Sequence, residues 1–262
     1  MKLSFPHFRP LPLVWFAAIL SMVNLVLYNI PFLTFIVEHA EGSGWQIGIL
    51  ITMVAVVMFA LHFMLFYLLL QLLRYAGRIL IAILFFLSGA CNYFIFVYHN
   101  LMDKSMMANV FNTRYSEASG FFTPTMWLAI LLLGLVPALY ILLRKTTPNT
   151  WKTFGYSCGG SLLISLVLAL VNLNQILWIG KYDTELGGLV MPWSYVVNTG
   201  LLIADHAHEN KQEILLPDAT ITDQEKCAVV LVIGESARKA NFQLYGYARE
   251  TNPRLSQLDD LH

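Results

Sequence analysis

Five apolar stretches, each long enough to cross a bilayer as a helix, dominate the first 180 residues. They run over about 13–37, 47–73, 79–98, 124–143 and 154–179. A hydrocarbon core about 30 Å thick needs about 20 apolar residues in helical form, so the pattern predicts five transmembrane helices in a membrane domain over residues 1–180. The first stretch is too long for a removable signal peptide, and we expect it to remain as an anchor.

A different pattern begins at residue 226. Residues 227–233 form a continuous apolar run rich in β-branched side chains, which is typical of a strand buried on both faces of a parallel sheet. A glycine, Glu235 and Ser236 follow, and Ser236 can cap a helix that begins at Ala237. Because α/β sheets bind ligands at the carboxyl ends of their strands, Glu235 is a candidate metal ligand, although such a tripeptide also occurs in ordinary solvated loops.

The composition places the chain among integral membrane proteins. Hydrophobic residues make up 57% and charged residues 12% of the sequence, and the mean hydropathy is +0.62. The formal net charge is zero, so nothing indicates a nucleic-acid partner. The three cysteines, Cys91, Cys158 and Cys227, show neither a metal-binding spacing nor an obvious disulfide pair.

The short loops between the apolar stretches differ in positive charge. One set of loops carries seven basic residues, namely Lys2, Arg9, Arg74, Arg78, Arg144, Lys145 and Lys152. The other set carries two, Lys104 and Arg114. Because basic loops stay in the cytoplasm, the asymmetry predicts a cytoplasmic N-terminus, and five crossings then place Glu235 on the outer side.

Polar residues in loop 100–123 and in the spans are further candidates. Asn109, Thr113 and Glu117 are spaced four apart, so a helix would stack them on one face; spacing alone equally fits the solvated face of an interfacial helix. Most polar residues inside the spans are expected to pair across helices, and they are Asn24, Asn29, His62, Asn92, Asn172, Asn174 and Gln175. Asn92 and Tyr93 are better placed than the others to face a lipid headgroup.

Residues 181–225 are predicted to be a bridging helix and linker. Pro192 suits the first turn of an amphipathic helix, and the charged residues and prolines from 209 to 225 indicate a bridge over the membrane surface. His206 and His208 lie among polar residues, which favours a solvated linker over zinc binding.

Two strings resemble one known family. GESARKANFQLYGYARETNPRL, from Gly234, resembles the opening of the catalytic domain of the phosphoethanolamine transferases that modify lipid A and the lipopolysaccharide core, a family that includes polymyxin-resistance enzymes. SMMANVFNTRYSE, from Ser105, resembles that family's donor-lipid loop. The family often has Asn where this chain has Ser194, which leaves a donor contact at that position in doubt.

The resemblance implies a fold, a cofactor and site residues. The membrane domain would be followed, over residues 226–262, by the first strand and helix of an incomplete α/β/α domain of the alkaline-phosphatase type in the periplasm. Glu235 would bind the catalytic zinc, and Asn109, Thr113 and Glu117 would bind the phosphatidylethanolamine donor. The acceptor would be lipid A or lipopolysaccharide core, at the inner membrane of a Gram-negative bacterium.

The family's nucleophilic Thr and its other zinc ligands lie beyond the stretch that matches. We therefore expect the chain to be an N-terminal fragment of a longer enzyme rather than a degenerate product, and to be inactive alone. Two other functions stay open: a related transferase or hydrolase that uses phosphoglycerol lipids, and a non-catalytic lipid-binding membrane module.

Overall fold

The computed structural model describes residues 9–208 and 238–257, which belong to two compact units divided between residues 211 and 212. The helices of the first unit are α1 (Leu13–Tyr28), α2 (Ile30–His39), α3 (Gly44–Leu73), α4 (Tyr75–Tyr98), α5 (Lys104–Asn112), α6 (Tyr115–Ala118), α7 (Pro124–Ala129), α8 (Val136–Leu143), α9 (Trp151–Val171), α10 (Leu173–Lys181), α11 (Asp183–Leu189) and α12 (Trp193–His208). A short parallel pair joins β1 (Leu11–Pro12) to β2 (Thr146–Thr147).

Four rods of the described chain are long and apolar enough to cross a membrane, namely α3, α4, the continuous rod from α7 to α8, and α9. Two bent pairs, α1 with α2 and α11 with α12, pass the same test together, so the number of candidate spans lies between four and six. A helical membrane-type domain is therefore confirmed. The count of five spans falls in this range and stays a prediction.

The predicted stretch 13–37 forms two helices that meet at Asn29 with a bend of 56°. Pro31 stands at the start of α2, where its missing N–H removes a bond that a continuous helix would need. Asn29 itself takes a non-helical conformation, and its side chain is buried. The stretch therefore breaks where a proline follows a buried amide.

A corner without a loop joins α3 to α4. Arg74 alone separates them and has a φ of 52°, a left-handed value that a side chain makes costly. Three residues later, a Cβ on Gly77 would lie 2.1 Å from the carbonyl oxygen of Leu69, so only glycine lets α4 turn back against α3. The two helices are thus antiparallel neighbours.

The rod from α7 to α8 contains a π-helical segment, Ile130–Leu135. Pro137 follows it and has no N–H to donate to the carbonyl of Leu133, four residues earlier. The hydroxyl of Tyr28 donates to that carbonyl at 2.6 Å. A side chain of α1 thereby replaces the backbone donor that the proline removes.

Two glycines bring α4 against the π-helical segment. A Cβ on Gly89 would lie 2.6 Å from the backbone nitrogen of Gly134 and 2.6 Å from the carbonyl carbon of Leu133. A Cβ on Gly134 would lie 3.1 Å from the carbonyl oxygen of Phe86. The two backbones are therefore in direct contact.

The predicted stretch 154–179 is also interrupted, because α9 ends at Val171 and α10 begins at Leu173. The Asn172 side chain donates to the carbonyl of Leu168 at 2.9 Å, inside its own helix rather than across the bundle. Only Ser165 of α9 is buried, so this helix lies at the edge of the unit.

The start of the predicted bridge enters the interior of the unit. Helices α11 and α12 meet at an angle of 110°, and the turn between them contains a cis bond between Met191 and Pro192. Met191 and Pro192 are buried. Pro192 immediately precedes α12 instead of standing in its first turn, and this helix starts inside the bundle.

Residues 238–257 of the second unit contain three 3₁₀ turns, Lys239–Asn241, Gln243–Tyr245 and Leu255–Gln257. The helix predicted to begin at Ala237 is therefore wrong over these residues. The Thr251 hydroxyl donates to Asn241 O at 2.7 Å and accepts from Gln243 N at 3.2 Å, so a side chain takes backbone groups that a helix would use. The predicted strand 227–233 and Glu235 lie outside the described residues.

Candidate functional site

The loop after α4 carries the three predicted donor-lipid residues. Asp103 caps α5 by accepting a hydrogen bond from the backbone N–H of Met106 at 2.7 Å. The helix ends at Asn112, and Thr113 and Arg114 are extended before α6 begins. Asn109 and Thr113 therefore stand at the end of one helix, and Glu117 stands in the next.

The predicted single helix, with Asn109, Thr113 and Glu117 stacked on one face, is therefore not formed. The Thr113 hydroxyl donates to Asn109 O at 2.6 Å, and the Thr113 N–H donates to the same oxygen at 2.8 Å, so this residue closes α5. Glu117 donates its N–H to Arg114 O at 3.0 Å in the first turn of α6. All three residues are exposed.

The backbone just before α5 is bonded to the end of α11 and to α12. Met102 donates its N–H to Gly188 O at 2.9 Å and accepts a hydrogen bond from the Asn198 side chain at 2.9 Å. Lys104 forms an ion pair with Asp205 of α12 at 2.5 Å. Sequence reasoning missed these contacts, because they join residues about 90–100 positions apart in the chain and depend on the tertiary structure.

Two open clefts, each lined in part by polar side chains, flank the start of α5. The larger, about 460 Å³, is lined by Asp103, Lys104, Ser105, Asp183, Thr184, Gly187 and Asn198. The smaller, about 290 Å³, is lined by His99, Asn100, Leu101, Asp103, Ser105, Met106 and Asn109. Asn109 is therefore the member of the predicted donor-lipid set that borders one of these clefts.

A set of buried amides holds the α11–α12 turn, and we call the turn with its amides the Met191 clamp. The side chain of Asn29 donates to Met191 O at 3.1 Å and accepts from Met191 N at 2.9 Å. The side chain of Asn24 donates to the same oxygen at 3.1 Å. Met191 lies three residues beyond Gly188, whose carbonyl accepts the N–H of Met102. The Met191 clamp therefore holds the α11–α12 turn close to the residues that hold the loop before α5.

The other polar residues of the spans have mostly structural contacts. Asn92 is buried and donates to Tyr28 O at 3.1 Å, so the prediction that it faces a headgroup is wrong. The Tyr93 hydroxyl lies 3.0 Å from the Thr123 hydroxyl, at the end of the loop. His62 Nδ1 lies 2.7 Å from Met58 O in its own helix. Pairing across helices is confirmed for Asn92, whereas Asn24 and Asn29 bond to Met191 in the turn between α11 and α12.

The predicted metal ligand cannot be placed against these features, because Glu235 lies outside the described residues. Within residues 9–208 and 238–257, no three His, Cys, Asp or Glu side chains lie close enough to hold a metal ion. His206 is exposed, and its Nδ1 lies 2.9 Å from Leu202 O. The loop, the Met191 clamp and the two clefts are therefore the features from which the site is built.

Comparisons with known proteins agree on one family. The sequence profile described as "Phosphoethanolamine transferase EptA/EptB" matches residues 58–207. A "Phosphoethanolamine transferase EptA" of Helicobacter pylori is 32% identical over 251 residues, which cover 95% of this chain and 46% of that protein. The protein of the same name from Escherichia coli K12 is 31% identical over 196 residues, which cover 68% of this chain and 35% of that protein.

A solved structure is also similar. It is the "Integral membrane protein lipooligosaccharide phosphoethanolamine transferase A (EptA) from Neisseria meningitidis", with a TM-score of 0.80 and 25% identity. The likeness covers 94% of this chain and 47% of that one. The chain thus spans about half, or less, of the length of the relatives that it matches.

Proposed function

Since this chain belongs to the phosphoethanolamine transferase EptA/EptB family, we propose that it forms the membrane part of an enzyme that moves phosphoethanolamine from phosphatidylethanolamine to lipid A or lipopolysaccharide core. The observation that carries the proposal is the loop with Asn109, Thr113 and Glu117. These residues lie inside the matched range 58–207, are exposed, and belong to the loop that begins at Met102, whose backbone is bonded to α11 and α12.

The chemistry of the three side chains suits the donor headgroup. An exposed carboxylate at Glu117 can accept hydrogen bonds from the ethanolammonium group, and such charge-assisted bonds are about twice as strong as neutral ones. The Asn109 amide offers two N–H donors for phosphate oxygens. The Thr113 hydroxyl already donates to Asn109 O, so it stays available as an acceptor.

A replacement of Glu117 by Gln tests this assignment on the chain itself. Glu117→Gln keeps the side-chain volume but removes the charge, so we expect phosphatidylethanolamine to bind about tenfold to a hundredfold more weakly, from a loss of roughly 1.5–3 kcal/mol. Native mass spectrometry of the chain in detergent measures the bound lipid. The matched control is Glu38→Gln, another exposed carboxylate at the same end, which should leave the affinity unchanged.

The same measurement separates the rival functions. In a phosphoglycerol-type enzyme, the binding of phosphatidylethanolamine would not depend on Glu117. Equal binding of phosphatidylethanolamine by the parent chain and by Glu117→Gln would contradict the assignment of the loop. A non-catalytic lipid-binding module would bind the lipid, but a protein with the full length of the relatives would transfer no phosphoethanolamine.

Zinc belongs to the proposal through Glu235. We propose this carboxylate as one zinc ligand, and a zinc ion bound there would activate a nucleophile and neutralise phosphoryl oxygens. Since the described residues form no zinc site, no nucleophile and no further ligand are assigned in this chain. Zinc analysis of the complete protein with and without Glu235→Ala tests the assignment, because loss of one of about four ligands should lower the zinc content.

The proposal places the protein in the inner membrane of a Gram-negative bacterium, with a cytoplasmic N-terminus. Single cysteines at positions 41 and 210, in a variant without the three native cysteines, should react with an impermeant maleimide added outside, whereas a cysteine at position 76 should not. This result follows from the excess of basic residues at one end of the helices. Labelling at 76 but not at 41 or 210 would reverse the orientation and exclude a periplasmic active site.

A further inference from the structure

The charged side chains of the membrane unit are sorted between its two ends. The end at which α3 meets α4 and α8 leads into α9 carries six basic residues and, among those described, no acidic one. They are Arg9, Arg74, Arg78, Arg144, Lys145 and Lys152. The opposite end includes loop 100–123, which carries Asn109, Thr113 and Glu117 and is called the donor loop below. Among the described residues, this end has seven acidic residues and three basic ones. These are Glu38, Glu41, Asp103, Glu117, Asp183, Glu185 and Asp205, with Lys104, Arg114 and Lys181.

Two of the six basic side chains build the basic end. Arg78 donates one Nη to Arg144 O at 2.7 Å and its other Nη to the hydroxyl of Thr146, next to the β1–β2 pair. Arg144 donates to Arg9 O at 3.2 Å. The guanidinium groups therefore tie the start of α4 and the segment after α8 to the N-terminal strand.

The loop that leads into α9 is tied to the same end. Gln71 of α3 donates to Asn149 O at 3.1 Å, and the side chain of Asn149 accepts the N–H of Val14 at 3.0 Å. The rings of Tyr67 and Phe154 pack edge to face at 5.0 Å between centroids. Lys152, in the first turn of α9, is thereby held beside the end of α3.

The other four basic side chains have no role inside the described part of the chain. Arg9, Arg74, Lys145 and Lys152 are exposed, and no hydrogen bond or ion pair with another described residue uses their side chains. Within the described part of the chain no carboxylate lies at this end, so the four cationic groups are available to anions from outside these residues.

Arg74 adds an independent observation. Its φ of 52° is one that glycine adopts freely and that a longer side chain adopts under strain. The corner between α3 and α4 thus has a residue that its backbone disfavours. An arginine therefore stands at this corner at a cost in backbone strain that glycine would not have.

We propose that the basic end binds the phosphate of an anionic phospholipid headgroup, with Arg74, Lys145 and Lys152 as its cationic partners. The three residues stand where apolar helices end, at the level of the headgroups, with exposed Tyr75 and Trp151 next in sequence to two of them. A diacyl lipid fits better than a soluble anion, because its chains would lie along the exposed apolar side of α9.

Thermal unfolding of the full chain in a neutral detergent tests the proposal. Dioleoyl phosphatidylglycerol is expected to raise Tm by about 5 °C at saturation, and dioleoyl phosphatidylcholine to leave it unchanged. The shift should shrink at high salt, because the contacts are electrostatic. Inorganic phosphate should not reproduce it, and an equal rise with phosphate alone would replace the lipid site by a simple anion site.

Variants locate the effect. The triple variant Arg74→Gln, Lys145→Gln, Lys152→Gln should lose the phosphatidylglycerol shift, whereas Arg114→Gln with Lys181→Gln, at the other end, should keep it. Arg74→Gly serves as a second variant in case the triple variant does not fold. Glycine removes the strain of the positive φ, so the Tm of Arg74→Gly without lipid should equal or exceed that of the parent. The rise in Tm that phosphatidylglycerol causes should be smaller in this variant than in the parent. An undiminished shift in Arg74→Gly and in the triple variant would overturn the proposal.

Discussion

The variant Gly89→Leu is expected to be unable to form the packed helical unit. A Cβ at this position already lies 2.6 Å from two backbone atoms of the π-helical segment, so a leucine must push two helices apart rather than move a flexible side chain. Overpacking with rearrangement costs about 1–3 kcal/mol, and a backbone collision costs more. Size-exclusion chromatography and a thermal melt in detergent should show aggregation or a loss of cooperative unfolding.

A matched glycine gives the control. A Cβ on Gly160 of α9 meets no atom within 4 Å, so Gly160→Leu should fold and unfold as the parent does. If both variants behaved alike, the helix contact at Gly89 would not limit folding. If only Gly160→Leu failed, the edge position of α9 would have to be reconsidered.

Asn29→Ala is expected to release the α11–α12 turn and, with it, the donor loop. The variant leaves the buried Met191 N–H without its partner, at a cost of about 1–3 kcal/mol, and opens a gap where the side chain stood. The Met191 carbonyl keeps its second donor, Asn24. A lower Tm and faster amide hydrogen exchange over residues 101–112 are the expected results.

The neighbouring amide serves as the control for the clamp. Asn24→Ala removes one of two donors to Met191 O, and it also removes an amide oxygen that is buried without a hydrogen-bond partner among the described residues. Its effect on Tm should therefore be clearly smaller than that of Asn29→Ala. Equal effects, or unchanged exchange in the loop of Asn29→Ala, would argue against a clamp that acts through Met191.

The sequence could predict the apolar helices, because hydrophobic length alone decides whether a segment suits a bilayer. It could not predict where those helices break. The interruption at Asn29 is stabilised by hydrogen bonds to the backbone of Met191, which lies 162 residues away. Nothing within the stretch 13–37 indicates that the Asn29 side chain forms these bonds. Pro31 is the local signal that could have located the break.

The candidate site was predictable to a similar extent. The residue types and spacing of Asn109, Thr113 and Glu117 suggest a polar group at the membrane surface, but spacing by four assumes that the helix continues. Thr113 instead uses its hydroxyl and its N–H to close α5. The hydrogen bonds that Met102 donates to Gly188 and accepts from Asn198 depend on tertiary structure, so sequence periodicity does not report them.

The sorting of charge between the two ends makes the membrane unit an electrical dipole that lies across the bilayer. In a cell whose interior is negative, the proposed orientation puts six positive charges of residues 9–208 on the negative side. It puts a net four negative charges of the same residues, seven acidic against three basic, on the positive side. Each charge that crosses the full potential changes the energy by about 2.3 kcal/mol per 100 mV. We therefore expect an imposed potential across liposomes to bias the direction in which the chain inserts, so that cysteine labels at position 76 become more protected as the interior becomes more negative.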